Sequence, residues 1–182
     1  MDDPKDDERK ARFEAAYTAS YEPILGYVLR RCSSPDDAAD VVAEVFAIAW
    51  RRLDDLPAGD GARLWLYGVA RRVLARHWEK ESRRRRRTAP LHPELRDELA
   101  AATDEFVDTS AIAQAFAGLS ESDRELLRLV AWEGLGHTEI AAVLGCSTGT
   151  VRVRLHRARR RLSRRLHSAG FDAAPLTANG GR

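Results

Sequence analysis

The amino-acid sequence predicts an all-α protein made of two small helical domains joined by a flexible linker. Apolar residues recur at helical spacing through most of residues 13–84 and 110–168, and no segment favours a strand over a helix. Between them, residues 88–109 hold two prolines, few large apolar residues and many acids, which is typical of a linker. We therefore assign domains to residues 10–87 and 110–168, a linker to residues 88–109 and a mobile tail to residues 169–182.

The first half of the chain predicts two long helices. The first starts near Phe13, and Pro23 within it predicts a kink or a restart. The second starts at Ser34, where a capping residue is followed by Pro35 and two aspartates, and it runs to Leu53. Its apolar face is formed by Val41, Val42, Val45, Phe46, Ala49 and Leu53.

A third helix is predicted from Ala62 to about Arg84, after a turn or loop at residues 56–61. Five consecutive arginines, residues 83–87, repel one another and predict that this helix frays at its end. Helical patterns resume at Ser110–Ala117 and at Ser120–Glu133. The linker holds one weak candidate helix between Pro93 and Ala102.

The most informative segment is residues 137–165, which predicts a short helix, a tight turn and a long helix. Gly145 ends the short helix, since glycine tolerates the left-handed backbone of a helix stop. Ser147 is suited to cap the long helix. The inward stripe of that helix is Val151, Leu155, Ala158 and Leu162. The arrangement is a helix-turn-helix, in which the second helix suits the major groove of DNA.

The opposite face of the long helix carries no acidic residue, whereas an exposed helix usually mixes both signs of charge. Arg152 is suited to donate two hydrogen bonds to a guanine, and Val153 is suited to contact a thymine methyl group. Gly149 would let the DNA backbone approach closely, and the later arginines would hold phosphates. The candidate DNA contacts are Thr148, Gly149, Thr150, Arg152, Val153, His156, Arg157 and Arg160. The alternative is a solvated basic face without a ligand.

The formal net charge of +2 hides a strong partition along the chain. The net charge is −6 over residues 1–60, +8 over 61–89, −8 over 90–147 and +8 over 148–182. Arginine supplies 27 of the 30 basic residues, and its planar fork suits phosphate and guanine. Two basic blocks separated by an acidic span predict two contacts with a polyanion.

Several classes of function are disfavoured by the sequence. The charged start of the chain lacks the apolar core of a signal peptide, and no apolar run approaches the ~18 residues of a membrane span. Cys32 and Cys146 stand alone, which indicates free thiols in a reducing compartment, with a redox switch as the alternative. The histidines show no metal-ligand spacing, and neither a phosphate loop nor a nucleophile elbow occurs. We expect no metal, no cofactor and no enzymatic activity.

Four segments together resemble the extracytoplasmic-function (ECF) sigma factors. The segment GHTEIAAVLGCSTGTVRVRLHRARRRL is similar to the family's DNA-binding helix-turn-helix, and AFAGLSESDRELLRLVAWEGL to the helices before it. The segment DDAADVVAEVFAIAWRRL resembles the polymerase-binding helix, and ARLWLYGVARRVLARHWEKESRRRR the promoter-opening helix. The resemblance covers roughly residues 13–87 and 111–166, in the family's order.

The resemblance implies that the acidic edge of the second helix docks on core RNA polymerase, with Asp40, Val41 and Glu44 as central contacts. Asp40 and Glu44 are four residues apart, and therefore share a helix face. The alternative is that the acids at the start of this helix only complement its dipole. That explains Asp36 and Asp37 but not Glu44, which lies too far along the helix.

The resemblance also implies that the third helix captures the melted −10 promoter element, while the helix-turn-helix reads the −35 element as duplex. Aromatic residues there, Trp65, Tyr67 and Trp78, are interleaved with basic ones, a pattern that suits stacking on unpaired bases. The loop before the helix corresponds to the family's pocket for a flipped base. The candidate −10 contacts are Gly59, Asp60, Arg71, Arg72, Arg76, His77 and Trp78.

As partners, the resemblance implies core RNA polymerase, promoter DNA and an anti-sigma factor, without membrane insertion and in the cytoplasm. One rival is a regulator that binds an operator by itself, usually as a dimer. It would explain the helix-turn-helix but not the acidic docking helix. The other rival is an RNA-binding or antitermination protein that uses the arginine run.

Overall fold

The computed structural model describes residues 4–88 and 107–170, and every regular element within those ranges is helical. The helices are α1 (Pro4–Leu29), α2 (Pro35–Arg51), α3 (Asp60–Thr88), α4 (Val107–Ala117), α5 (Glu121–Ala131), α6 (His137–Leu144) and α7 (Thr148–Ser168), with a short 3-10 helix at Leu53–Asp55. One compact unit contains α1 to α3, and a second contains α4, α5 and α7. The all-α prediction is thus confirmed over the described residues. The candidate helix at 93–102 and the tail from residue 171 lie outside them.

Helix α1 runs through Pro23 without a break, so the predicted restart at this proline is wrong. Its start at Pro4 also places the domain boundary predicted at residue 10 inside a helix. An interior proline costs a helix roughly 3 kcal/mol. Packing on both sides of Pro23 offsets that cost, because Ser20 on one side and Ile24 on the other are almost wholly buried.

Aromatic rings fasten α1 to α2. The ring centroids of Tyr17 and Phe46 are 4.7 Å apart, and those of Phe13 and Trp50 are 5.2 Å apart in an edge-to-face arrangement. Aromatic pairs of this kind contribute about 0.5–1.5 kcal/mol beyond the area they bury. The packing fixes α2 against α1, and α2 also packs on α3.

The start of α2 follows the predicted capping pattern. The Oγ of Ser34 accepts a hydrogen bond from the backbone N–H of Asp37 at 3.1 Å, and Pro35 occupies the first helical position. The buried face is Ala38, Val41, Val42, Val45, Phe46 and Ala49. The helix ends at Arg51, and Leu53 begins the 3-10 turn instead of closing α2 as predicted.

Helix α3 is longer than predicted at both ends. It begins at Asp60, inside the predicted loop, and it continues through the whole arginine run to Thr88. The predicted fraying is therefore wrong. Arginine is a good helix former, and Arg83 lies 3.7 Å from the carboxylate of Glu79 one turn earlier, so local pairing and propensity offset the repulsion.

In the second unit, α4 and α5 pack against α7. The core residues of α5 are Leu126 and Leu129, both fully buried. On α7, the predicted inward residues Val151, Leu155 and Ala158 are buried, but Leu162 is only half-buried. Leu166 is buried one turn later, so the apolar stripe extends further along α7 than predicted.

One ion pair joins α5 to α7 and carries a stability prediction. Asp123 has a side chain only 7% exposed, and its carboxylate accepts from Arg161 at 2.6 Å. We expect Asp123→Ala to lower the free energy of unfolding of this unit by about 1–2 kcal/mol, since Arg161 itself stays half exposed to water. Hydrogen exchange at α5 and α7 amides measures this. An equal loss in Arg160→Ala, which removes a neighbouring exposed arginine, would contradict a specific role for the pair.

Candidate nucleic-acid and polymerase interfaces

The turn between α6 and α7 has the geometry that the sequence predicts. Gly145 adopts φ +66°, the left-handed backbone that ends α6. The Oγ of Ser147 accepts from the backbone N–H of Thr150 at 3.1 Å and caps α7. At the start of α6, the carboxylate of Glu139 accepts from the backbone N–H of Gly136 at 2.7 Å. Both helices therefore begin at fixed positions.

The predicted −35 contacts lie on the exposed side of α7. Seven of them are exposed: Gly149, Thr150, Arg152, Val153, His156, Arg157 and Arg160, while Thr148 is half-buried. Val153 is 51% exposed, although it is a large apolar residue on a helix whose other valine is fully buried. No acidic residue occurs between residues 148 and 168. This face can meet a polyanion without any repulsive group of its own.

The acidic edge of α2 is only partly as predicted. Asp40 and Glu44 are exposed and share one face of the helix. Val41, the third predicted polymerase contact, is 2% exposed and offers almost no surface to a partner. Its side chain belongs to the apolar face that packs into the unit, where it supports the acidic edge from beneath.

An ion pair that no sequence pattern indicates connects two of the predicted surfaces. Glu44 of α2 lies 2.8 Å from the guanidinium of Arg76 of α3. Both side chains are at least half exposed, so the pair is weak by itself and open to other partners. The residues are 32 apart in sequence, and only the packing of α3 on α2 brings them together. A predicted polymerase contact and a predicted −10 contact therefore share one charge pair.

The predicted −10 residues lie along the first part of α3 and the turn before it. Gly59 adopts φ +59°, and Asp60 begins α3 with its acid at the positive end of the helix dipole. Arg71 and Arg72 lie side by side at the middle of the helix. His77 has its Nε2 3.5 Å from a carboxylate oxygen of Asp37, which ties that aspartate to α3.

The three aromatic side chains of α3 have different environments. Tyr67 is 3% exposed and packs on Tyr27 at 5.1 Å, so it belongs to the core and cannot stack on bases. Trp78 is half-buried and donates its indole N–H to the backbone oxygen of Arg31 at 3.2 Å. Trp65 is half-buried, with the guanidinium of Arg52 5.9 Å from its ring centroid. Of these three side chains, Trp65 and Trp78 keep exposed ring surface on which an unpaired base could stack.

The cysteines show no sign of redox pairing. Cys32 and Cys146 are both free and half-buried. Burial, and to a lesser extent the negative charge of Asp37, raise the pKa of the Cys32 thiol above its ordinary value. A raised pKa lowers the thiolate fraction at neutral pH, which makes Cys32 less reactive.

Neither a metal cluster nor a membrane-spanning helix occurs in the part of the chain that the structure describes. Within 4–88 and 107–170, no three histidine, cysteine or acidic side chains gather as a metal site would require. None of the helices described there is long and apolar enough to cross a membrane.

Comparison with known proteins decides the family. A family model for sigma-70 region 2 matches residues 16–84, and a model for sigma-70 region 4 matches residues 109–162. The ECF RNA polymerase sigma factor SigC of Mycobacterium tuberculosis is 34% identical over 146 residues, which cover 80% of this chain and 78% of SigC. The chain belongs to the ECF sigma factors. SigF of Caulobacter vibrioides, a further ECF sigma factor, is 31% identical over 147 residues, covering 80% of each chain.

Solved structures agree with this sigma-factor fold. The sigma factor RpoE from Bartonella quintana, solved in complex with the anti-sigma factor NepR, matches with a TM-score of 0.61 at 24% identity, covering 85% of this chain and 96% of RpoE. CnrH, solved in complex with the cytosolic domain of CnrY, matches with a TM-score of 0.54 at 25% identity, covering 90% and 97%. As an ECF sigma factor, the protein is a transcription initiation factor and not an enzyme.

Proposed function

We propose that this sigma factor docks on core RNA polymerase through Asp40 and Glu44 and recognises a promoter at two separate elements. The domain proposed for residues 10–87 captures the melted −10 element, and the domain proposed for residues 110–168 reads the −35 element as duplex. The proposal rests mainly on one observation, the exposed face of α7 that carries no acidic residue. Ser147 caps this helix directly after the tight turn. We place the protein in the cytoplasm, where RNA polymerase works.

Duplex reading at the −35 element is supported by the order of side chains along α7. Residues near the start of a recognition helix reach base edges, while later ones reach phosphates. Arg152 and Val153 lie in the first two turns, and both are exposed. Arg157 and Arg160 follow on the same side of the helix. The arrangement thus separates base readout from phosphate contact along one helix.

Arg160 tests the phosphate role. We expect Arg160→Ala to weaken binding to all DNA sequences alike and to lower the slope of log affinity against log salt by about one, because one phosphate contact is lost. Titration of duplex DNA at several salt concentrations measures both quantities. A loss confined to one base pair would assign Arg160 to base readout instead.

Capture of the melted −10 element is supported by the basic residues of α3. Separating a duplex costs about 1.4 kcal/mol per base-pair step on average, and binding of the unpaired strand offsets that cost. Arg72 and Arg76 are exposed, and Arg71 is half-buried beside them. Gly59 and Asp60 stand at the turn before α3, where the family forms its pocket for a flipped base.

Core polymerase is the proposed partner of the acidic edge of α2. Asp40 and Glu44 present two carboxylates on one exposed helix face, above a fully packed apolar layer. A rigid helix with exposed charges suits a docking surface, since little ordering is needed on binding. We also propose that an anti-sigma factor binds this protein, as the resemblance implies and as the solved complex of the similar sigma factor RpoE with NepR supports.

Footprinting separates this proposal from an autonomous operator-binding regulator. DNA carrying a candidate promoter is treated with the protein alone, with core polymerase alone and with both. We expect protection at two upstream elements, and permanganate-reactive thymines near the −10 element, only when both are present. Strong protection by the protein alone, without strand opening, would support the regulator instead.

A further inference from the structure

An open hollow of about 560 Å³ lies between the end of α2 and the middle of α3. Ile48, Val69 and Ala75 supply its apolar lining. The rest of the lining is four arginines: Arg52, Arg71, Arg72 and Arg76. No acidic side chain is among the lining residues, so the hollow concentrates positive charge on an apolar floor.

The arginines that line the hollow repel one another. The pKa of Arg72 is lowered from its ordinary value, first by the partial burial of its guanidinium group and then by the charges of Arg52, Arg71 and Arg76. In addition, the Nε of Arg71 is buried and has no hydrogen-bond acceptor among the described residues. A buried donor without an acceptor costs about 1–3 kcal/mol in proteins generally. An anion in the hollow would offset the repulsion between Arg72 and the three neighbouring guanidinium groups.

Neighbouring acids compensate this charge only at the rim. Asp55 lies 2.8 Å from Arg52, and both side chains are more than half exposed. Glu44 holds Arg76 in a similarly exposed pair. Exposed pairs of this kind contribute little, so a stronger anion can displace them at small cost. Neither acid reaches into the lining of the hollow.

Phosphate is the anion that suits four guanidinium groups. It offers several strong acceptor oxygens, and the planar fork of arginine matches its geometry. We propose that this hollow is a phosphate-binding site and that Arg52, at the end of α2, is one of its ligands. The phosphate is either part of the opened promoter strand, in which case the inference rests on the proposed function, or part of a free polyphosphate. Arg52 lies outside the residues that the sequence assigns to the −10 element.

The first arm of the test uses inorganic tripolyphosphate and the full-length protein, by titration calorimetry at fixed salt. Arg52→Gln is compared with Arg51→Gln, which removes the same charge one residue earlier and outside the hollow. Asp55→Asn breaks the same ion pair but keeps Arg52. We expect about tenfold weaker binding in Arg52→Gln alone, as befits the loss of one charge-assisted contact. Unfolding curves establish that all variants remain folded.

The second arm uses holoenzyme and a single-stranded −10 oligonucleotide in which one linkage at a time is a neutral methylphosphonate. We expect one linkage whose phosphate contacts Arg52. Its replacement by a methylphosphonate should weaken oligonucleotide binding about tenfold in the wild type and in Arg51→Gln, but by much less in Arg52→Gln. That result supports the site and identifies the promoter strand as the source. If Arg52→Gln weakens binding of tripolyphosphate but does not change the response to any methylphosphonate, the site is supported with a free polyphosphate as its ligand.

The proposal is overturned if Arg52→Gln behaves like Arg51→Gln in both arms. Failure of the proposed function has a different signature, since the wild type would then direct no promoter-dependent transcription. In that case the oligonucleotide experiment has no promoter to represent, and the binding of tripolyphosphate alone decides the proposal.

Discussion

Glu44→Arg is expected to abolish association with core RNA polymerase while the helical content of the protein stays unchanged. Glu44 is exposed at the centre of the acidic edge of α2, so its replacement disturbs no core residue. Placing like charges against each other at an interface costs several kcal/mol, and a cost of about 3 kcal/mol already weakens binding more than a hundredfold. Pull-down or fluorescence anisotropy with core polymerase, in the absence of DNA, measures the loss. Circular dichroism checks the fold.

The ion pair between Glu44 and Arg76 makes a sharper control possible. Arg76→Glu breaks the same pair but leaves the carboxylate of Glu44 in place, and it should bind core polymerase nearly normally. The double variant Glu44→Arg with Arg76→Glu restores a pair of opposite charges but not the acid on α2. We expect it to remain defective. If the double variant binds core polymerase again, the ion pair between positions 44 and 76 is what the polymerase requires, and an acid at position 44 is not.

Arg152→Ala is expected to relax the sequence preference at a single base pair of the −35 element. Arg152 is exposed in the first turns of α7, where a recognition helix reaches base edges. A bidentate contact to guanine discriminates against other bases by about 1–3 kcal/mol. Selection of binding sites from a randomised −35 element, with wild-type and variant holoenzyme, measures the preference at every position.

Arg160→Ala is the matched control for Arg152→Ala. It removes the same side chain from the same helix, but further along, where a phosphate contact is expected. Its selected sites should be the same as those of the wild type, with weaker binding overall. An unchanged preference in Arg152→Ala would move base recognition elsewhere on α7.

The local features of the fold were predictable because local chemistry determines them. Ser34 and Ser147 cap their helices, and Gly145 takes the left-handed conformation that a helix stop requires. Each of these signals acts within about three residues of its own position. The helix-turn-helix is a sequence of such signals, and for that reason it could be read directly from the chain.

At Pro23, tertiary packing overrides local preference. Pro23 predicts a break, but buried residues on both sides of it hold α1 together. Val41 sits between two residues of the acidic edge in the sequence, yet helical periodicity places it on the buried face. Helical periodicity alone predicts that Val41 is buried, and the role as a polymerase contact rests on the resemblance alone.

The pair of Glu44 with Arg76 and the hollow beside it could not be predicted from the sequence. They depend on the rotation of α3 about its own axis relative to α2, and no pattern within one helix encodes that angle. Arg52 is the clearest case, since it is one of two adjacent arginines at the end of α2. Only one of the two lines the hollow.

Run-off transcription with bacterial core polymerase tests the central claim most directly. Fragmented genomic DNA is transcribed with the wild-type protein, with Glu44→Arg and without either. We expect new start sites that share two upstream motifs and disappear with Glu44→Arg. Transcripts identical with and without the protein, together with operator binding by the protein alone, would contradict it.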